Sequence, residues 1–99
     1  MIRIDILSQS PEEAVMRIAG WVRLPAEIDL VAQEGTRCLA QSRRLVLDLQ
    51  EVLSLYEDGV ALLQGWQAQG RLQICAWSYH IEDNLEHHGL IPPHKEDLE

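Results

Sequence analysis

The chain has 99 residues, 46% of them hydrophobic, enough for one compact domain with one modest core and too few for a second. Its formal net charge of −8 repels nucleic acid phosphates and anionic membrane surfaces at long range. No stretch approaches the roughly 18 consecutive apolar residues that span a bilayer, and charges interrupt the apolar N-terminus MIRIDILSQS, so a cytoplasmic protein without direct membrane insertion is expected.

In IRIDIL, Ile2, Ile4 and Ile6 alternate with Arg3, Asp5 and Leu7, the two-residue period of a half-buried strand. The polar turn SQSPEE follows, and AVMRIAGWV again reads as strand, so the first two elements form an antiparallel hairpin. Over residues 26–42 the spacing of Ile28, Val31, Ala32, Cys38 and Leu39 predicts a helix, with Pro25 suited to its first turn. Gly35 costs that helix about 1 kcal/mol relative to alanine, although it also permits close approach to a sheet.

The run 45–49, broken only by Asp48, has the character of a central strand buried on both faces. Residues 58–69 predict a second helix, with Val60, Leu62, Leu63 and Trp66 on its apolar side and Gly70 as its stop. Residues 71–77 follow as a strand. Ser78 suits the cap of a last helix carrying Ile81 and Leu85, closed by Gly89, Leu90, Pro92 and Pro93. The order β, β, α, β, α, β, α implies a hairpin and then two βαβ crossovers. The expected architecture is therefore a single α/β domain over residues 1–91, with a mixed sheet of about four strands and helices packed against it. Residues 92–99 are expected to form a flexible tail.

At the joint LYEDG, Asp58 is placed to cap the second helix, Glu57 adds a further carboxylate, and Gly59 falls at the first helical position. Adjacent carboxylates do not converge on one atom, and no nucleophile or metal-ligand pattern accompanies them, so no enzyme is expected. Cys38 and Cys75 form no CxxC and read as buried free thiols. His80, His87, His88 and His94 do not have the spacing of convergent ligands and read as solvated, so no metal site is expected. No glycine-rich phosphate loop is present, and no cofactor is expected. Trp77 and Tyr79 flank the start of the last helix, with Tyr56 at the same sheet edge, an arrangement suited to a protein interface, while packing of Trp77 back onto the core is an equal alternative. Trp21 and Trp66 are assigned to packing.

The segment LVLDLQEVLSLYEDGVALLQGWQAQGRLQI, with the later LEHHGL, resembles the STAS domain of anti-sigma factor antagonists. The family's aliphatic strand ending in an LDL-like motif is matched at Leu47, Asp48 and Leu49. Its DSSG loop aligns with Tyr56, Glu57, Asp58 and Gly59, its GLALL-like helix with residues 60–63, and its terminal GL pair with Gly89 and Leu90. The resemblance implies a non-catalytic regulator that acts by protein binding. It places Asp58 at the position of the serine that a kinase, itself the anti-sigma factor, phosphorylates in such antagonists. Only the glycine of the four-residue loop is retained. Arg23 stands where the family's GELD-like sequence has its aspartate. Aspartate cannot gain and lose phosphate as serine does, so binding without serine phosphorylation control is expected. With the aromatics Trp77 and Tyr79 of the last helix start, the partner-binding residues expected are Tyr56, Glu57, Asp58, Gly59, Arg23, Trp77 and Tyr79. The partner is an anti-sigma factor kinase or, as in STAS accessory subunits of bacterial ABC systems, a cytoplasmic transporter ATPase.

Overall fold

The computed structural model describes residues 2–93. Its elements are β1 (Ile2–Gln9), β2 (Glu13–Val22), α1 (Pro25–Gln41), β3 (Arg44–Leu55), α2 (Glu57–Ala68), β4 (Leu72–Trp77) and α3 (Tyr79–His87). The four strands lie in the order β1-β2-β3-β4. β1 and β2 form the antiparallel hairpin expected from their alternation, and β3 runs parallel to both β2 and β4. Each parallel step is made by one helix, because a parallel pair needs a crossover and α1 and α2 supply the two required.

Alternation sorts the sheet into two unlike faces. Ala14, Met16 and Ile18 of β2 and Leu45, Leu47 and Leu49 of β3 join one core with Val31 and Cys38 of α1, Val60, Leu63 and Trp66 of α2, and Ile81 and Leu85 of α3. The buried residues of all three helices thus lie on one side. The other side of the sheet is free of helices among the described residues. This corrects the expectation that β3 is buried on both faces. On the open side Val46 is buried beside its register partners Val15 and Gln73, whereas Asp48 is partly exposed and reaches Arg17 at 3.4 Å. Cys75 also faces this side and is exposed, against the expectation of two buried thiols, because Leu72 and Ile74 take the core-facing positions of β4. Its Sγ lies 3.4 Å from the Leu47 carbonyl, and desolvation, with Asp48 next, pushes its thiol pKa up. A protonated thiol is a poor nucleophile.

The connections are short and their backbone groups are satisfied. α2 ends in a Schellman arrangement: Gly70 has φ +71°, its N–H donates to Gln67 O at 2.9 Å, and the Arg71 N–H donates to Trp66 O at 3.2 Å. Gly89 repeats this after α3, with Leu90 N–H donating to Leu85 O at 2.9 Å. The Arg71 guanidinium then crosses to the end of α1, donating to Leu39 O at 2.7 Å, Ser42 O at 2.8 Å and Arg43 O at 2.9 Å. It places a cation at the negative end of that helix dipole.

Gly35 is required by a neighbour other than the sheet. A Cβ there would overlap the Trp66 ring, with Cζ2 at 2.6 Å, so the glycine lets α1 rest on the buried indole of α2. Gly65, exposed in α2, has nothing within 4 Å of the same construction. The two glycines should therefore respond oppositely to alanine. Gly65→Ala is expected to raise stability by about 0.5–1 kcal/mol through helix propensity. Gly35→Ala should lower stability, because displacing a packed ring costs about 1–3 kcal/mol. Urea unfolding of the two variants checks both signs.

Candidate partner-binding edge

Because β2, β3 and β4 are parallel, their C-terminal ends share one edge, and each chain passes from there into a helix. Arg23 and Leu24 lead into α1, Tyr56 alone leads into α2, and Ser78 alone leads into α3. The strand before the joint is longer than the run 45–49, reaching Leu55. Little of LYEDG is loop as a result. Tyr56 is the N-cap residue, and Glu57, Asp58 and Gly59 are the first three residues of α2. This corrects two expectations: Asp58 does not cap the helix, and Gly59 is third in it. Both carboxylates remain in the first turn, where the helix dipole favours negative charge by about 0.3–1 kcal/mol each.

Gly59 faces inward. A Cβ on it would lie 2.7 Å from Leu55 Cδ1 and 3.3 Å from Val22 Cγ1, so its missing side chain serves close packing on β2 and β3. Tyr56 turns outward and is 54% exposed, while its N–H donates to Val22 O at 3.0 Å and ties the joint to the end of β2. Ser78 is the N-cap residue of α3, as expected, but its hydroxyl donates to Val52 O instead of capping. Asn84 Nδ2 donates to Leu55 O at 2.8 Å, fixing α3 against the end of β3.

Tyr79, 80% exposed, stacks on His80 with ring centroids 4.2 Å apart. Trp77 is half-buried against the core, and its indole N–H donates to Glu82 at 3.2 Å. Trp21, assigned to packing from the sequence, is instead 42% exposed, and the Arg23 guanidinium carbon lies 4.4 Å from the ring centroid. The alternation of Met16, Ile18 and Val22 already points Trp21 to the opposite face. Arg23 Nε is buried with no hydrogen-bond partner. Leu24 and Leu53 complete the exposed apolar side chains of this edge.

The α1 entrance is held by a residue that composition and spacing did not single out. Glu27, buried in the first turn, accepts from the Leu24 N–H at 2.9 Å and the Arg23 N–H at 3.0 Å. Leucine has no side-chain acceptor, so only the carboxylate half of a capping box is made. These two backbone donors, Leu24 first, hold the Glu27 carboxyl at about 2 against an ordinary 4.5. His80, His87 and His88 form no cluster: among the described residues no three histidine, cysteine, aspartate or glutamate side chains converge as metal ligands. His94 lies outside the described residues, as do residues 94–99 of the expected tail. No helix of the described residues is long and apolar enough to cross a membrane.

No family model and no curated protein matches the chain. Among solved structures it is similar to the anti-sigma factor antagonist SpoIIAA in its unphosphorylated form, with a TM-score of 0.70. The superposition covers 99% of this chain and 92% of that one at 14% sequence identity. The chain has the STAS fold. At this identity the likeness concerns architecture, and the side chains on the edge are this chain's own. On this STAS fold the edge presents two exposed tyrosines, an exposed tryptophan and two carboxylates around a buried glycine. Large amphipathic rings on rigid strand ends are suited to protein contact.

Glu27 makes a pH prediction. Its folded pKa lies below its unfolded value, so its stabilisation is complete above about pH 4.5 and is lost as the pH falls towards 2. Glu27→Gln should flatten the decline of stability across that acid range and leave its slope near neutrality unchanged, as measured by urea unfolding at stepped pH.

Proposed function

We propose that the chain is a non-catalytic STAS regulator of the anti-sigma factor antagonist type that docks its βα edge on a protein partner. Tyr56, Glu57, Asp58, Tyr79 and Arg23 make the contact, while Gly59 and Trp77 hold the edge in shape from beneath. The observation that carries this reading is the joint itself. On a SpoIIAA-like fold, the first turn of α2 presents exposed Tyr56, Glu57 and Asp58 on a base fixed by Gly59 packing. Asp58 holds one constant charge where a serine would exchange a hydroxyl for nearly two charges and three acceptor oxygens. Complex formation is therefore constitutive with respect to phosphorylation of this loop, and the protein works in the cytoplasm as a binding module.

Constant charge also favours a second reading, a permanent STAS accessory subunit on the cytoplasmic ATPase of an ABC transporter. Such a subunit needs a docking surface and no switch. Capture from native cells with the full chain separates the two, by recovery of an anti-sigma kinase or of a transporter ATPase.

Tyr56→Ala is expected to weaken the captured complex by about 2 kcal/mol or more, the scale of an aromatic hot spot. Glu57→Ser with Asp58→Ser should weaken it several-fold and reduce its salt dependence. Unchanged affinity in both variants, measured by calorimetry with the recovered partner, rules out the edge as the docking site. Stoichiometric phosphate on residues 56–59 after incubation with the partner kinase and ATP rules out constitutive binding.

A further inference from the structure

The docking edge does not stop at the helix starts. The β2–β3 register shifts between Gly20 and Trp21, which pair with Val52 and Ser54, leaving Leu53 without a partner across the strands. A bulge residue of this kind shares the side of its neighbour in the widened pair, so Leu53 lies with Ser54 on the helix-free side that Trp21 faces. Both are well exposed, Leu53 at 47% and Trp21 at 42%. Arg23 covers one face of the Trp21 ring, holding the indole in place by a cation–π contact. Ser78, at the start of α3, donates its hydroxyl to Val52 O beside the same bulge and so holds that helix start at its flank.

Apart from the Arg23 guanidinium over the Trp21 ring, the unpaired charge around this patch is acidic. On the open face Arg3 is spent on Asp5 at 3.1 Å, Arg17 on Asp48 at 3.4 Å and Arg44 on Glu13 at 3.1 Å. Exposed Glu51, two residues before Leu53, and exposed Glu57 and Asp58 beyond the strand end have no ion pair among the described residues. An apolar centre with an unbalanced acidic rim selects for a partner of the opposite pattern. The same rim opposes an anionic membrane, and it opposes a second copy of this chain, whose rim would meet it with like charge.

We infer that Trp21 and Leu53, braced by Arg23, form a specificity surface on the helix-free face for a basic protein segment carrying an aliphatic or aromatic anchor. The surface is continuous with the docking edge and rests on the proposed function for its setting: a partner seated on Tyr56 and Asp58 turns the corner of the sheet onto Trp21. Arg23 has a double part here, since its unpartnered Nε lies at the corner between the two surfaces.

The test uses the full chain as bait against a random dodecapeptide display library, followed by amide and indole NMR shifts with the enriched peptides. The expected result is enrichment of peptides that combine lysine or arginine with a large apolar residue. Their shifts should centre on the Trp21 indole and the Leu53 amide, and binding should weaken at least about tenfold in Trp21→Ala and in Leu53→Ser. Glu51→Lys should weaken binding several-fold without touching the apolar centre. Acidic or uncharged binders, shifts that map elsewhere, failure to enrich any peptide, or Trp21-dependent self-association in sedimentation each overturn the inference. With the partner recovered from cells, loss of binding in the Glu57→Ser, Asp58→Ser pair but not in Trp21→Ala or Leu53→Ser sinks the extension and leaves the edge reading standing. Insensitivity to both the loop pair and Tyr56→Ala, together with loss in Trp21→Ala and Leu53→Ser, sinks the edge reading alone.

Discussion

Along the C-terminal half of β3, from Leu49 onward, the carbonyls of Leu49, Val52 and Leu55 all need donors, and the segment following β4 supplies every one. The Ser78 N–H donates to Leu49, the Ser78 hydroxyl to Val52, and Asn84 to Leu55. Leaving such groups buried without partners costs about 1–3 kcal/mol each, so the start of α3 is fixed to the end of the central strand. The Tyr56 N–H does the same for Val22 on the other flank. The edge is therefore a consequence of satisfying strand ends: three helix starts are drawn into one line, and whatever side chains occupy those starts are presented together.

Two glycines set how closely the helices approach that frame. Gly59 lets the first turn of α2 lie on Leu55 and Val22, and Gly35 lets α1 lie on Trp66. Between them they bring α2 down on the sheet and α1 against α2, so that the tyrosine of the joint is lifted outward by a rigid base. Rigidity of this kind lowers the entropic cost of ordering an interface. The same helices leave the other face of the sheet bare, which is why Trp21 and Leu53 stay exposed. Paired charges from Arg3, Asp5, Arg17 and Asp48 lie on that bare face and discourage indiscriminate sheet stacking.

Electrostatics divides the acidic residues into two kinds. Glu27 is buried, bonded to two backbone N–H groups and strongly acidic, a structural charge that holds the entrance to α1. Glu51, Glu57 and Asp58 are exposed and unpaired among the described residues, charges available to a partner. Surface charges of the second kind govern encounter and selectivity more than stability.

The sequence by itself determined the element order, the hairpin, both helix stops at Gly70 and Gly89, and most of the core, because periodicity and glycine chemistry are local properties. Residues 45–49 were legible as a strand, but not its continuation to Leu55: Glu51 and the bulge at Leu53 break the alternation, and only pairing with β2 carries the strand through. Capping at LYEDG was misplaced for the same reason, since the strand runs on to Leu55 and leaves Tyr56 as the N-cap residue, which makes the expected loop aspartate the second residue of the helix. The aromatic edge at Tyr56 and Tyr79 was visible from where those residues fall at predicted helix starts. What only the tertiary structure decided was the side of the sheet on which all three helices pack. That choice buried Trp66, left bare the face to which the β2 alternation assigns Trp21 and with it Cys75, and turned an acidic βα joint into one border of a wider surface, because strand alternation sorts side chains into two faces without saying whether one or both will be covered.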